Sequence, residues 1–462
     1  MLKAEASQSR RQAVWARGVH LSVLFTFGTI VFSWVAILNG APLVFSDSLM
    51  YMTAALEGTI PPYFSVFYSW LIFPFHLGQN LWPVVFVQSA VLTHLLYLTS
   101  RCVLRGDQAR RYMPWVIVAL AILTSLPWIT GQILPDVASP IVVLGIFLLA
   151  FCGERLSWRE RIYLVVLTTL AVTTHLSHIP IAVGLVIGSV VAKLAVFRER
   201  VCLSLWATLI GPVALATAAL MAVTWIDSRQ VSLAKDSDVF MLAKLIDDGP
   251  AIAYLSAVCP GVGYHLCSEL QSLKGASHDE LKWYGSSPFR RIDPSTLQQE
   301  AHGIVRGTLD KFPMQILKDS IKGAALQLLN FQTGEGLSPE FAKMVANHVS
   351  HYFGSDTESL LLNSQQGRGA LPLDQIRFLH TFAVIIALCV CVGALFYLRG
   401  SGLIIKFTLF IGWAMFVSAV VTGSLSGPYD RYLARVIWLI CFAAILCVAV
   451  SFRTGTAKIH HP

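Results

Sequence analysis

Residues 19–38 read VHLSVLFTFGTIVFSWVAIL, a run without a single Asp, Glu, Lys or Arg. A bilayer core of about 30 Å, at 1.5 Å per helical residue, is crossed by about 20 such positions. Basic residues precede the run and no small-residue cleavage site follows it, so it reads as an uncleaved first helix and not as a signal peptide. Comparable stretches recur at 82–100, 113–130, 137–152, 161–176, 178–196, 204–225, 377–397, 403–422 and 432–451. The expected fold class is therefore all-α: a polytopic membrane protein with about ten transmembrane helices. Composition agrees. Of 462 residues, 55% are hydrophobic and only 13% charged, whereas soluble chains carry about a quarter charged residues. A water-soluble enzyme of this size is excluded.

The net charge of +8 does not point to nucleic acid, because the basic residues sit in short clusters between apolar runs. Arg10/Arg11/Arg17, Arg101/Arg105/Arg110/Arg111, Arg155/Arg159/Arg161 and Lys193/Arg198/Arg200 all fall in segments on one side of the alternation. Segments 39–81, 131–136 and 176–178, on the other side, hold no Lys or Arg. This bias predicts cytoplasmic termini. The segment 64–78 is short and carries Pro74; an additional full span there would invert the later loops, so it reads as re-entrant or interfacial. Three regions follow: an N-terminal membrane module (1–226) with the outer loops, a mainly helical extracytoplasmic domain (227–376), and C-terminal membrane helices (377–462). Within the domain, 294–329 has helical apolar spacing broken by Gly and Pro, which predicts two or three amphipathic helices.

Cys259 and Cys267 are the only cysteines in 227–376. An oxidising compartment would permit a disulfide there; the alternative is two unpaired thiols. No Walker, Rossmann or CxxC pattern occurs and no metal-ligand spacing stands out. No cofactor is identified, and a divalent cation stays open.

The residues able to carry chemistry cluster in the short outer loops. PLVFSDSLMYM places Asp47 after the first helix, flanked by Phe45, Leu49, Met50 and Tyr51. A carboxylate against apolar surface has a tunable protonation and suits a base; alternatively Ser46 or Asp47 caps a short helix ending at Gly58. TGQILPDVASP places Asp136 at a helix mouth, where it too can serve as a cap. THLSHIP brings His175 and His178 to one face. TGSLSGPYDRYLAR sets Arg431 and Arg435 at the start of the last helix, where a guanidinium can bind phosphate with two parallel hydrogen bonds or snorkel to the interface. Together these put carboxylates, imidazoles and guanidiniums on one membrane face.

This layout resembles the GT-C glycosyltransferases, membrane enzymes that use polyprenyl-phosphate sugars and include aminoarabinose and protein-mannosyl transferases. The matching features are FSDSLMY after the first helix, LPDVASP in the second outer turn, and RYLAR on a late helix. The resemblance implies a GT-C-like fold and a transferase that moves a hexose or pentose from a polyprenyl-phosphate donor to a glycolipid, polysaccharide or protein acceptor. It makes Asp47 the general base, Asp136 its support, and Arg431 with Arg435 the residues that neutralise the departing phosphate. Tyr51, His175 and His178 join them as substrate contacts. The implied location is a bacterial inner membrane with the active face extracytoplasmic.

Other classes remain in view. A secondary transporter calls for mid-span charges and repeated broken helices, neither of which is evident. A polyprenyl-linked glycan polymerase or ligase would rely on arginines and a histidine of the large loop, such as Arg290, Arg291 and His302.

Overall fold

A computed structural model describes residues 18–104, 107–398 and 402–459. The described chain is helical throughout and contains no β-strand. The N-terminal half runs through α1 (Gly18–Phe32), α2 (Trp34–Asn39), α3 (Ser48–Glu57), α4 (Phe67–His76), α5 (Trp82–Leu104), α6 (Asp107–Leu123), α7 (Leu126–Thr130), α8 (Ala138–Phe151), α9 (Trp158–Thr173), α10 (His178–Val191) and α11 (Leu203–Ser228). Then come α12 (Ser237–Asp247), α13 (Pro250–Val258), α14 (Leu270–Leu273), α15 (His278–Trp283), α16 (Pro294–Lys311), α17 (Pro313–Leu329) and α18 (Pro339–Asn363), followed by α19 (Leu373–Tyr397), α20 (Leu403–Leu425) and α21 (Asp430–Ile459).

Among the described residues, six helices are long and apolar enough to cross a membrane: Trp82–Leu104, His178–Val196, Leu203–Ser228, Leu373–Tyr397, Leu403–Leu425 and Asp430–Phe452. The other four apolar stretches of the sequence form shorter or divided helices. The run 19–38 is split at Ser33 into α1 and α2, and 113–130 is divided between α6 and α7. At 1.5 Å per residue, the 16 residues of α9 reach about 24 Å, short of the ~30 Å hydrocarbon core. The ten residues of α4, with Pro74 inside, reach about half of it. The sequence expectation of a non-spanning element there is consistent with this length.

The packing centres on α21. Of its most apolar stretch, 89% is buried, and Trp438, Phe442 and Leu446 are fully enclosed. Its neighbours are α5, α6, α8, α19 and α20. Lipid tails are as apolar as leucine, so helices in a membrane associate through close van der Waals contact at small residues. Several glycines serve this purpose. Gly188 lies beneath Trp413 of α20, and Gly184 beneath Val417. On α17, Gly323 meets Gly423 backbone to backbone, leaving no room for a Cβ on either.

The polar region has a core of its own, formed by Leu242, Leu255, Leu281 and Ile304 from α12, α13, α15 and α16, with Leu266 from the segment between α13 and α14. Two of its helix starts are capped: Ser277 and Glu280 form a reciprocal capping box, and Asp293 accepts from the backbone of Ser295 and Thr296. Each such cap contributes about 1 kcal/mol. A disulfide joins Cys259 and Cys267. The expected amphipathic stretch 294–329 forms two helices divided before Pro313. Residues 313–363 belong elsewhere. The apolar face of α18 (Ala342, Val345, Val349, Phe353) joins the large core of the membrane helices, and α17 packs lengthwise on α20.

Gly323→Val would press a branched side chain into the Gly423 carbonyl. We expect a loss of about 1–3 kcal/mol, the usual cost of overpacking. It would be read as a lower melting temperature in nanodiscs, with faster hydrogen exchange confined to α17 and the end of α20.

Candidate functional site

The segment after α2 and the turn after α7 are joined by backbone. Leu43 N–H donates to the Gly131 carbonyl at 2.9 Å, and Ile133 N–H donates to the Leu43 carbonyl at 3.0 Å. Buried polar side chains extend this bridge. Gln366 donates to the Val44 carbonyl and accepts from its N–H. Gln88 donates to the carbonyls of Thr130 and Gln132, and accepts from the Tyr68 hydroxyl at 2.6 Å. Backbone groups away from water must be paired, and these glutamines complete the pairing that two irregular segments leave open. The consequence is positional: Asp47 and Asp136 are carried to the N-terminal end of α21.

There the carboxylates meet the two arginines. Asp47 is at the N-cap position of α3 but makes no capping bond; its Oδ2 faces Arg431 Nη1 at 3.3 Å. Arg431 Nε lies 3.8 Å from Asp136 Oδ2, and Arg435 Nη1 donates to Asp136 Oδ1 at 3.0 Å. Asp136 is 5% exposed and Arg435 1%. The Arg431 guanidinium therefore lies between the two carboxylates. The rings of Phe45 and Tyr432 hold it, at 4.4 and 5.4 Å. Among the described residues, no group of three or more His, Cys, Asp or Glu is arranged to hold a metal ion.

A small recess opens beside this cluster, lined in part by Trp128, Gln132, Asp136, Glu335, Arg431 and Arg435. Trp128 Nε1, Gln132 Nε2 and Arg435 Nε are buried there without a hydrogen-bond partner. An unmade bond at a buried donor costs about 1–3 kcal/mol. Three such donors around one recess, one of them in the Arg435 guanidinium, together with the Arg431 guanidinium, make a site suited to an anionic, oxygen-rich group.

The other residues expected from sequence pack behind the cluster. His178 is fully buried, with Nε2 at 2.8 Å from Ser139 Oγ and Nδ1 at 2.9 Å from the Ala171 carbonyl. His175 Nδ1 pairs with Ser177 Oγ at 2.8 Å, and Arg435 Nη2 donates to the same hydroxyl at 3.3 Å. Tyr51 is 1% exposed, packed edge-on against Phe64 and Tyr68. Burial, with Asp47 close by, pushes its hydroxyl well above the usual phenol range, so it stays protonated. None of the three lines the recess.

The sequence reading missed contributions from the stretch 227–376. Glu335 sits in the loop TGEGL (333–337), whose Gly334 and Gly336 have positive φ. A side chain at Gly336 would collide with the Phe45 ring, so glycine lets the loop close on the site. Glu335 accepts the Arg431 backbone N–H at 2.5 Å, and burial raises its carboxyl above the usual range against the pull of Arg431. From α15, Asp279 accepts the Tyr429 hydroxyl at 2.8 Å and lies 3.6 Å from Lys282 Nζ, while Trp283 stacks on Phe64. Burial against Phe240 and Trp283 lowers the Lys282 ammonium to about 8, despite the raising influence of Asp279 and Asp47. A glutamate between two glycines is the one local signal that could have marked Glu335; nothing local marks Lys282. No family model matches the chain, and neither a curated protein nor a solved structure does.

Arg435→Met leaves the buried Asp136 carboxylate without its nearest partner, and breaking such a pair costs about 3–5 kcal/mol. Melting in nanodiscs should show the loss, with Asp136→Asn/Arg435→Met regaining much of it; a double variant no more stable than Arg435→Met would contradict the pairing. A second expectation concerns pH. The folded state gives up the Lys282 proton above about pH 8, while the unfolded chain keeps it to about 10.5. The unfolded state thus binds more protons in this window, and stability rises with pH there by at most about 3 kcal/mol. Relative to Lys282→Met, wild type should gain stability from pH 8 to 10.5; parallel curves would refute the assignment.

Proposed function

We propose that this chain is a GT-C-like membrane glycosyltransferase, moving a sugar from a polyprenyl-phosphate donor to an extracytoplasmic acceptor. In this reading the protein has about ten spans in a bacterial inner membrane, both termini are cytoplasmic, and the recess opens on the outer face. One observation carries it: unpartnered buried donors and two guanidiniums surround a recess at a membrane helix end, with Asp47 alongside.

The chemistry follows from those positions. The acceptor hydroxyl attacks the anomeric carbon, the bond from that carbon to the phosphate oxygen breaks, and the hydroxyl proton passes to Asp47. The phosphate leaves with its bond electrons, stabilised by Arg431, Arg435 and the N–H groups of Trp128 and Gln132. Without donor, Arg431 pairs with Asp47. A phosphate on Arg431 would take over that contact and leave the carboxylate free to accept the acceptor proton.

The polymerase or ligase alternative has less support. Arg291 pairs with Glu269 and His302 with Asp238 on exposed surface, and neither they nor Arg290 line the recess.

The test is mass spectrometry of envelope lipids and glycans from a deletion strain complemented with wild type, Asp47→Asn or Arg290→Ala/Arg291→Ala at matched protein levels. A sugar-sized mass should be lost in the deletion, return with wild type and with the double alanine variant, and stay absent with Asp47→Asn. Loss of a general base lowers turnover by roughly 10²–10⁴. Full restoration by Asp47→Asn would overturn the base assignment, and a change in glycan chain length would favour the polymerase.

A further inference from the structure

The transferase reading makes no use of α17, although its surface is unusual for a helix in a region otherwise facing water. Met314, Leu317 and Ile321 are 74%, 52% and 62% exposed, and Leu329 is 73% exposed. With 3.6 residues per turn, these positions and the exposed Leu328 form one continuous apolar stripe. The opposite side holds the buried Gly323 and Gln327, turned to α20 and to the Tyr429 carbonyl. Lys318 and Lys322, both exposed, border the stripe on one flank.

We propose that this stripe is seated in the bilayer, in the leaflet on the side of the polar region, making α17 a lipid-facing helix beside α20. Continuity with the membrane surface selects lipid as the occupant. α17 lies lengthwise against α20, which is long and apolar enough to cross the membrane. The outward residues of α20, including Phe416 at 47% and Leu425 at 41% exposure, extend the same apolar surface. A patch of this kind is not left in water by soluble surfaces, and an apolar face edged by lysines matches acyl chains beneath lipid phosphates. The close Gly323–Gly423 approach brings the helix against the membrane wall, and Asn330 and Gln327 tie its end to the Pro428 and Tyr429 carbonyls. The end of α17 is thereby tied to residues 428–429, next to the recess residue Arg431.

The test uses the full chain in nanodiscs of phosphatidylethanolamine and phosphatidylglycerol that contain a phospholipid with a diazirine in its acyl chain. After photolysis, adducts are mapped by peptide mass spectrometry. Residues 313–329 should carry adducts at a yield comparable to α19, where Phe378, Phe382 and Phe396 are exposed, while α15 carries none. Met314→Glu/Ile321→Glu should lower the 313–329 yield and leave that of α19 unchanged, which separates local withdrawal from misfolding. Labelled α19 with unlabelled 313–329 would overturn the proposal. So would cross-links between Lys318 or Lys322 of two chains together with absent adducts, because a second copy would then cover the stripe. Either result stands apart from the transferase test, which reads no lipid contact of α17.

Discussion

Two guanidiniums one helical turn apart at the start of α21 have to be compensated, and much of the structure near them follows from that requirement. An arginine that is 1% exposed at the mouth of a membrane helix has lost its water, and an uncompensated ion there costs several kcal/mol. Positions i and i+4 share a helix face, so Arg431 and Arg435 call for acceptors from one direction. Asp47 and Asp136 supply them from segments 384 and 299 residues away. The Leu43–Gln132 bridge and the glutamines that extend it keep both carboxylates in reach. The ion pairs and the backbone bridge thereby hold one another in place.

The surroundings add what a two-by-two charge cluster lacks. Glu335 brings a third carboxylate to the first turn of α21, where backbone N–H groups are free and the helix dipole favours negative charge. Tyr432 presents its ring to both guanidiniums, at 5.4 Å each. The polar region is connected to this end of the membrane helices through α15, on Phe64 and Tyr429, and through Gln327 and Asn330 on 428–429. Substitutions in that region therefore reach the recess through a few identifiable side chains. Electrostatic preorganisation of this type, with donors held before a ligand arrives, is the form of stabilisation that contributes most in water-poor sites.

Membrane embedding changes what holds the helices together. Burying Trp438 or Phe442 gains little relative to lipid, so specificity comes from close approach at Gly184, Gly188, Gly323 and Gly423 and from polar contacts such as Ser139 with His178. It also changes how exposure is interpreted. Phe378 at 77% and Leu203 at 85% exposure would be liabilities in water but lie on helices apolar enough to face lipid.

By itself, the amino-acid sequence determined the all-helical class, the apolar stretches, the short apolar segment with Pro74 and the loops that hold Asp47, Asp136, Arg431 and Arg435. Composition and local periodicity carry that information, because a bilayer imposes one rule on every spanning helix irrespective of its partners. Helix lengths were less legible: the breaks at Ser33 and Ser125 depend on packing, so only six described helices have the length and hydropathy to cross. The tertiary structure alone decided which charges pair, that Asp47 faces an arginine instead of capping α3, and that His178 and Tyr51 pack behind the cluster. It also decided that Glu335 and Lys282 reach the site and that three donors around the recess have no partner. Such facts arise from contacts between residues far apart in the chain, where no local pattern records them.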